Sequence, residues 1–214
     1  MKLISIISGA IMAIGIAAAA LAQTAPAAPN TRLPEIPIAQ YSDEQKQAAA
    51  AFEAQRKTPP FGPFLPLMHS PEVMTLARSM GDYLRYNSAI GTTLSELAIL
   101  VTAREWSQDY EWFVHAPIAE KAGIKPEIVA AIREGRRPTG MSADEDMVYD
   151  FSIELQRTKR VSDATFERVD KRFGKKGVVD LTGIHGYYTL LAMEMNVARF
   201  EPKGGMTKLP RFPD

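Results

Sequence analysis

Glu111 and His115 stand four residues apart in the sequence and form a candidate pair for proton transfer. On a continuous helix both side chains would lie on one face, one turn apart. A carboxylate orients a neighbouring imidazole and raises its pKa, so the ring titrates near physiological pH, where a general acid or base is most useful. The same spacing also occurs in ordinary surface ion pairs. The aromatic neighbours Tyr110, Trp112 and Phe113 favour the functional alternative, because polar groups in such surroundings are costly unless they are paired.

Gln108 and Arg104 extend the same stripe toward the N-terminus of the predicted helix, provided that the helix is continuous. The polar residues 107–109 predict a helix end, which leaves that condition open. On a continuous helix Arg104 would hold a substrate carboxylate beside His115. Arg85 is a further candidate for that role.

The two other histidines have different surroundings. His69 follows an apolar stretch and precedes the Ser-Pro pair at 70–71, so it could face a pocket or cap the turn. His185 lies on an apolar helical stripe, where a lone histidine is more often a hydrogen-bonded core residue than a ligand. A metal site formed by all three histidines is an alternative without any close ligand spacing, so we expect no metal.

The hydrophobic pattern is helical along nearly the whole chain, with no alternating strand pattern of useful length and no internal repeat. Helix starts are predicted at three capping boxes and at two other serines: Ser42 with Gln45, Thr93 with Glu96, Ser142 with Glu145, Ser70 before Pro71, and Ser162. The proline-rich residues 58–68 predict an extended apolar connection, and Gly174 predicts a helix end. The predicted fold class is all-α.

The chain divides into four predicted regions. Residues 1–22 have the layout of a cleaved secretory signal peptide, with Lys2, an uncharged run and a final Ala-Leu-Ala. An uncleaved membrane anchor is the alternative, since a run of this length could cross a bilayer. Residues 23–40 predict a disordered linker, residues 41–205 one helical domain, and residues 206–214 a loose tail. We therefore expect a periplasmic or secreted protein with no stable membrane insertion after cleavage.

The composition excludes two classes of function. The chain has no cysteine, so any redox mechanism that needs a thiolate nucleophile is excluded, and so is a disulfide. It has 25 basic and 25 acidic residues, a balance that gives no electrostatic case for binding nucleic acid.

The run ELAIL…R…YEW…H…PIA…AG, from Glu96 to Gly123, resembles the core signature of the carboxymuconolactone decarboxylase family, which includes the alkylhydroperoxidase D-like proteins. The segment Leu67–Glu72 resembles the one that precedes the second helix of that family, and Val179–Asn196 resembles its closing helix. The resemblance covers roughly residues 60 to 200.

In the alkylhydroperoxidase branch of that family the motif is a Glu, then C-x-x-C, then a His. Aligned on His115, the two Cys positions fall on Gln108 and Glu111, and the upstream Glu falls on Glu96. Both thiols are therefore missing, and the remaining pattern resembles the decarboxylase branch. The resemblance further implies a compact domain of about seven or eight helices, trimers or hexamers with the site near a subunit boundary, and no metal or organic cofactor.

These patterns lead to one hypothesis with two alternatives. The hypothesis is a carboxymuconolactone decarboxylase-like lyase or isomerase acting on a small carboxylated substrate, a lactone or an aromatic-derived compound. The predicted catalytic residues are His115, Glu111, Glu96 and Tyr110, and the predicted substrate-binding residues are Arg104, Gln108, His69, Trp112 and His185. The alternatives are a non-catalytic small-molecule-binding protein and a structural, oligomer-forming subunit.

Overall fold

The structure, a computed structural model, describes residues 31–201 and 206–211. In these residues a 3-10 helix, Ile38–Gln40, precedes eight α-helices: α1 (Asp43–Arg56), α2 (Phe64–Leu67), α3 (Pro71–Tyr86), α4 (Gly91–Glu105), α5 (Asp109–Lys121), α6 (Pro126–Arg133), α7 (Ala143–Thr158) and α8 (Asp163–Ala198). The same residues contain no strand. The predicted all-α class and the predicted number of helices are confirmed for this part of the chain.

Helix α4 is the central element. Every residue from Leu94 to Arg104 is buried, and α3, α5, α6, α7 and α8 all pack against it. A helix that is apolar on nearly all sides has to be surrounded in this way, because no face of it can be left to water. The polar side chains that α4 carries are therefore also buried, and each of them needs a partner inside the domain.

Most predicted helix starts are confirmed. Ser42 with Gln45 and Ser142 with Glu145 form complete capping boxes, in which the serine side chain accepts from the backbone N–H three residues on and the amide or carboxylate accepts from the serine N–H. Ser162 caps α8 in the same manner by accepting from the N–H of Thr165. Helix α3 begins at the predicted Pro71, although the Ser70 side chain makes no capping hydrogen bond.

Two local predictions were wrong. Helix α4 begins at Gly91 and not at a Thr93–Glu96 capping box, because Thr93 donates to the carbonyl of Ala122 and Glu96 turns into the core. Residues 58–68 are not extended throughout. The apolar residues Phe64–Leu67 form the short helix α2, with Pro66 at a position where the missing N–H costs little in so short a helix.

The two predicted breaks are confirmed. Ser107 has a positive φ of 48° between α4 and α5, and the Gln108 side chain caps α5 by accepting from the N–H of Tyr110. Gly174 has a φ of 69° and interrupts the helical backbone inside α8. Few side chains tolerate that conformation, which is why a glycine stands at the kink.

The described ends of the chain contact the helical domain. The N–H of Arg32 donates to the carbonyl of Ala198, within the segment predicted to be a linker. Leu209, within the predicted tail, is buried, and its N–H donates to Asp109. The predicted signal peptide lies outside the described residues. No helix in the described part of the chain is long and apolar enough to cross a membrane.

Candidate functional site

The site is built on a contact between α4 and α5. His115 Nδ1 lies 2.6 Å from Glu96 Oε2, and both side chains are buried. Nineteen residues separate the two in the sequence, so the contact depends on the antiparallel packing of the two helices on either side of the Ser107 break. Such a short contact between an imidazole and a carboxylate is a charge-assisted hydrogen bond, which fixes the ring.

Glu111 lies on the other side of the same ring. Its Oε2 is 3.3 Å from His115 Nε2, one helical turn away as the spacing predicts. Its second oxygen, Oε1, is buried and has no hydrogen-bond partner among the described residues. The Glu111 side of the ring is therefore more loosely held than the Glu96 side, and one carboxylate oxygen is left without the partner that buried polar atoms normally have.

The two carboxylates decide the charge of the imidazole. Burial by itself disfavours the charged ring and lowers its pKa, but the hydrogen bonds and negative charges of Glu111 and Glu96 outweigh this effect. The net result is that the pKa of His115 is raised above its ordinary value of 6.5. Protonated His115 is thus favoured near neutral pH, which suits a proton donor.

Arg85 of α3 adds a positive charge to the cluster. One of its terminal nitrogens is 3.5 Å from Glu96 Oε1, and its Nε is buried without a hydrogen-bond partner in the described part of the protein. The pKa of Arg85 is raised, since burial opposes its charge but Tyr188, Glu96 and Glu111 together favour it. The cluster of His115, Arg85, Glu96 and Glu111 therefore balances two positive against two negative charges.

Two tyrosines of α8 close the site from the opposite side. The rings of Tyr188 and His115 meet edge to face, with centroids 5.1 Å apart and an interplanar angle of 86°. Burial raises the pKa of Tyr188 well above its ordinary value, so its hydroxyl stays neutral. Tyr187 fits against Gly81 of α3, where a Cβ atom would lie 2.3 Å from the tyrosine hydroxyl. Glycine at this position is what allows α3 and α8 to approach closely.

His115 and Glu111 open onto a cavity of about 40 Å³, which we call the inner cavity. Charged, aromatic and apolar side chains line it: Arg56, Phe61, Pro63, Phe64, Arg85, Tyr110, Glu111, Val114, His115, Tyr187, Tyr188 and Leu191. A space of this size holds about one water molecule or a group of a few atoms. It is far smaller than the few hundred Å³ of a typical small-molecule site.

The structure brings the four predicted catalytic residues to this one place. His115, Glu111 and Tyr110 line the inner cavity, and Glu96 lies directly behind the imidazole. Tyr110 is half-buried, and burial followed by the charge of Glu111 raises the pKa of its hydroxyl.

The predicted substrate-binding residues are not brought to the inner cavity. The break at Ser107 puts Arg104 on the far side of α4, where it lines a small space with Tyr149 and Arg157. Gln108 caps α5 and donates to Asn196, and Trp112 is buried in the core.

The three histidines lie apart. His69 is exposed, with its Nε2 2.9 Å from the carbonyl of Pro34. His185 is buried, with its Nδ1 2.9 Å from the Thr102 hydroxyl, and burial lowers its pKa to about 3. Among the described residues, no group of three or more His, Cys, Asp or Glu side chains could hold a metal ion.

Sequence reasoning missed several residues that line the inner cavity. Tyr187 and Tyr188 were placed only within the segment that resembles the closing helix of the family, and Arg56 and Phe61 carried no signal for the site. They come from α1, α8 and the proline-rich connection, so only the packing of distant segments brings them together. The aromatic pair at 187–188 was the one sequence feature that could have pointed to the two tyrosines.

No family model matches the chain, and no curated protein matches it in sequence. Solved structures do match in fold. One is described as an alkylhydroperoxidase AhpD core, an uncharacterized peroxidase-related protein from Ralstonia eutropha JMP134, with a TM-score of 0.64 and 19% identity over 83% of this chain and 94% of that one. Another, an uncharacterized peroxidase-related protein from Silicibacter sp. TM1040, has a TM-score of 0.63 and 13% identity over 80% of this chain and 90% of that one.

The chain has the alkylhydroperoxidase D-like helical fold. This confirms the predicted architecture. The finer resemblance to the decarboxylase branch stays a prediction, as do the roles of the site residues.

Proposed function

We propose that this protein is a cofactor-free carboxy-lyase or isomerase that transfers a proton to or from carbon in a small carboxylated substrate. The observation that carries the proposal is the buried His115 ring, held between Glu96 and Glu111 at the wall of a cavity beside Arg85. A buried imidazole between two carboxylates is an expensive arrangement, which a purely structural helix contact does not need.

The two ring nitrogens have different tasks in this proposal. Nδ1 is fixed by Glu96 at 2.6 Å, and this contact sets the ring orientation and favours the protonated form. Nε2 is only loosely held by Glu111 at 3.3 Å and faces the cavity side, so it is the nitrogen that exchanges a proton with the substrate.

Of the two arginines that the sequence offers for holding a carboxylate, Arg85 takes the role and Arg104 does not. It lines the inner cavity, and its Nε has no partner in the described part of the chain. A substrate carboxylate placed there would accept a hydrogen bond from that Nε and share the positive charge with Glu96. Tyr110 and Tyr188 would surround the rest of the reacting group with neutral hydroxyls and aromatic faces.

In the lyase reaction the bond between the carboxylate carbon and the neighbouring carbon breaks, and carbon dioxide leaves. The electron pair of the broken bond passes to the conjugated carbonyl and gives an enolate. The positive charges of Arg85 and His115 stabilise this enolate. The Nε2 proton of His115 is then delivered to carbon, and a proton from solvent restores the imidazolium. In an isomerase reaction only C–H bonds break and form: the neutral form of His115 removes a proton from one carbon through Nε2, and the resulting imidazolium returns that proton to another carbon.

A dithiol peroxidase is not part of the proposal, although the structures with the same fold are described as peroxidase-related. That chemistry needs thiolates, and this chain has no cysteine. A binding protein without turnover is the second candidate, favoured by the loss of both cysteine positions of the alkylhydroperoxidase motif.

We also propose that the protein is a homo-oligomer. Exposed residues at spacings of seven, four, three and four follow one face of α8: Val179, Gly186, Leu190, Met193 and Val197. This is the spacing of a helix that packs against another helix, and Gly186 leaves open space for a close approach. Light scattering after gel filtration would test the proposal, and a monomer at micromolar concentration would contradict it.

The test of the enzymatic proposal is exchange and turnover in deuterated water. The protein is incubated with a panel of carboxylated γ-lactones, β-keto acids and vinylogous acids, and NMR follows deuterium at carbon and loss of carbon dioxide. We expect His115→Gln to reduce the rate by about two to four powers of ten. Glu120→Gln, on the exposed side of the same helix, is the matched control. Binding of a panel member without exchange or turnover in the native protein would favour the second candidate.

A further inference from the structure

A second, larger cavity adjoins the inner cavity. Its volume is about 650 Å³, and we call it the outer cavity. Phe61 and Tyr110 line both cavities and so form the wall between them. A volume of several hundred Å³ lies within the range of sites that enclose small molecules, whereas the inner cavity lies far below it.

The lining of the outer cavity is chiefly apolar. Its residues are Thr31, Leu33, Pro34, Glu35, Pro60, Phe61, Gly62, Leu65, Pro66, Tyr110, Phe200 and Glu201. Among the described residues of this lining, the charged ones are the acidic Glu35 and Glu201, so the outer cavity disfavours an anionic group. The inner cavity differs, because the two arginines Arg85 and Arg56 line it beside one carboxylate, Glu111.

The wall between the cavities is made of the two aromatic side chains Phe61 and Tyr110. Tyr110 packs so closely over Gly62 that a Cβ atom there would lie 2.2 Å from its hydroxyl, and its ring meets that of Phe200 edge to face at 5.5 Å. Phe61 contacts Phe52 and is 40% exposed. Tyr110 packs at the edge of the hydrophobic core and Phe61 is partly exposed, so the rotamers of these two rings decide whether the two cavities connect.

We propose that one elongated substrate occupies both cavities, with its carboxylate and reacting carbon in the inner cavity and an uncharged apolar body, alkyl or aryl, in the outer cavity. This inference rests on the proposed function for the inner cavity. It assigns the substrate class as carboxylated compounds with an apolar extension of several carbons, and not small polar lactones. The apolar body supplies binding free energy away from the reacting carbon, and the carboxylate sets the orientation.

The experiment measures the affinity of straight-chain monocarboxylates, from butanoate to dodecanoate, by calorimetry on the full chain. We expect the dissociation constant to fall about fourfold for each added methylene until the outer cavity is filled, and then to level off. Alkan-1-ols of equal length should bind at least about tenfold more weakly, because they lack the charge that Arg85 binds.

Two aspartate variants test whether the alkyl chain of the ligand lies in the outer cavity. Leu65→Asp puts a charge in the outer cavity and should abolish the dependence on chain length. Leu76→Asp is the matched control, since Leu76 is 72% exposed on α3, and it should keep the dependence. Circular dichroism verifies that both variants fold.

Three outcomes would overturn the inference: an affinity that does not depend on chain length, a dependence that survives Leu65→Asp, or equal binding of acids and alcohols. Failure of the proposed function is a separate result. If the chain-length dependence is present and lost in Leu65→Asp, but no long-chain β-keto or vinylogous acid exchanges or loses carbon dioxide, the two-cavity binding site stands and the enzymatic proposal does not.

Discussion

Glu96 of α4 holds His115 of α5 through a 2.6 Å contact between Oε2 and Nδ1, inside a core where both side chains are almost fully buried. The contact joins the helices α4 and α5 on either side of the turn at Ser107. It leaves the other ring nitrogen, Nε2, directed toward Glu111 and the inner cavity. The packing of α4 against α5 and the proposed proton transfer thus depend on the same pair, Glu96 and His115.

Replacement of Glu96 by Gln should lower the pKa of His115, because a hydrogen bond and a negative charge that favour the imidazolium are both weakened. The alkaline limb of the pH–rate profile should then move to lower pH. In the native protein the raised pKa adds stability that is complete below pH 6.5 and is lost as pH rises through the folded-state pKa. Glu96→Gln should therefore cost more stability at pH 6 than at pH 9, whereas Glu120→Gln should show no such difference.

Removal of the Arg85 charge should weaken binding of the carboxylate. We expect Arg85→Gln to raise the KM of an active acid, or its Kd, by about ten- to hundredfold, the value of a hydrogen bond to a charged group. Arg160→Gln, an exposed arginine at the end of α7, is the control. An unchanged affinity in Arg85→Gln would show that the carboxylate binds elsewhere.

His185 should make the fold sensitive to acid. Its Nδ1 lies 2.9 Å from the Thr102 hydroxyl, which donates to the carbonyl of Ala98, and its Nε2 is buried without a partner in the described residues. The pKa is lowered to about 3, so the stability that the neutral ring provides is complete above pH 6.5 and is lost as pH falls toward 3.

The loss attributable to His185 should approach about 1.4 kcal/mol per pH unit in the free energy of unfolding. His185→Leu should flatten the pH dependence measured by urea unfolding between pH 7 and pH 4.5. His69→Leu, at an exposed position, should leave it unchanged. A native protein that keeps its full stability at pH 4.5 would contradict the assignment.

Glu194 should have the opposite dependence. Both of its carboxylate oxygens are buried with no hydrogen-bond partner in the described part of the chain, and burial, followed by the charge of Glu111, raises its pKa to about 8. The contribution of Glu194 to the free energy of unfolding is therefore largest below pH 4.5, and it falls as pH rises toward 8. Glu194→Gln should become more stable relative to the native protein across that interval, as measured by Tm at pH 5 and pH 9. A constant difference in Tm would mean that Glu194 is ionised throughout.

The local elements of the fold could be predicted because their signals are local. The capping boxes at Ser42 and Ser142, the break at Ser107 and the kink at Gly174 each depend on a few adjacent residues. The same reasoning failed at Thr93, where a capping sequence lies inside a helix whose burial gives its polar side chains other partners. Tertiary packing decides such cases, and spacing alone does not reveal it.

The candidate site was only half predictable for the same reason. Glu111 and His115 are one helical turn apart, so their contact follows from spacing, and Glu96 followed from the family resemblance. Spacing could not decide between the two candidate arginines, because Arg104 is close in sequence but points away, while Arg85 comes from another helix.

NMR titration of the His115 imidazole, with and without a carboxylated ligand, tests proton donation by this residue most directly. Our interpretation predicts a pKa above 6.5 in the free protein and a further shift when a carboxylate that binds Arg85 enters the inner cavity. His115→Gln identifies the resonance. A titration near 6.5 that no carboxylated ligand changes would show an ordinary exposed histidine and would contradict the proposed function.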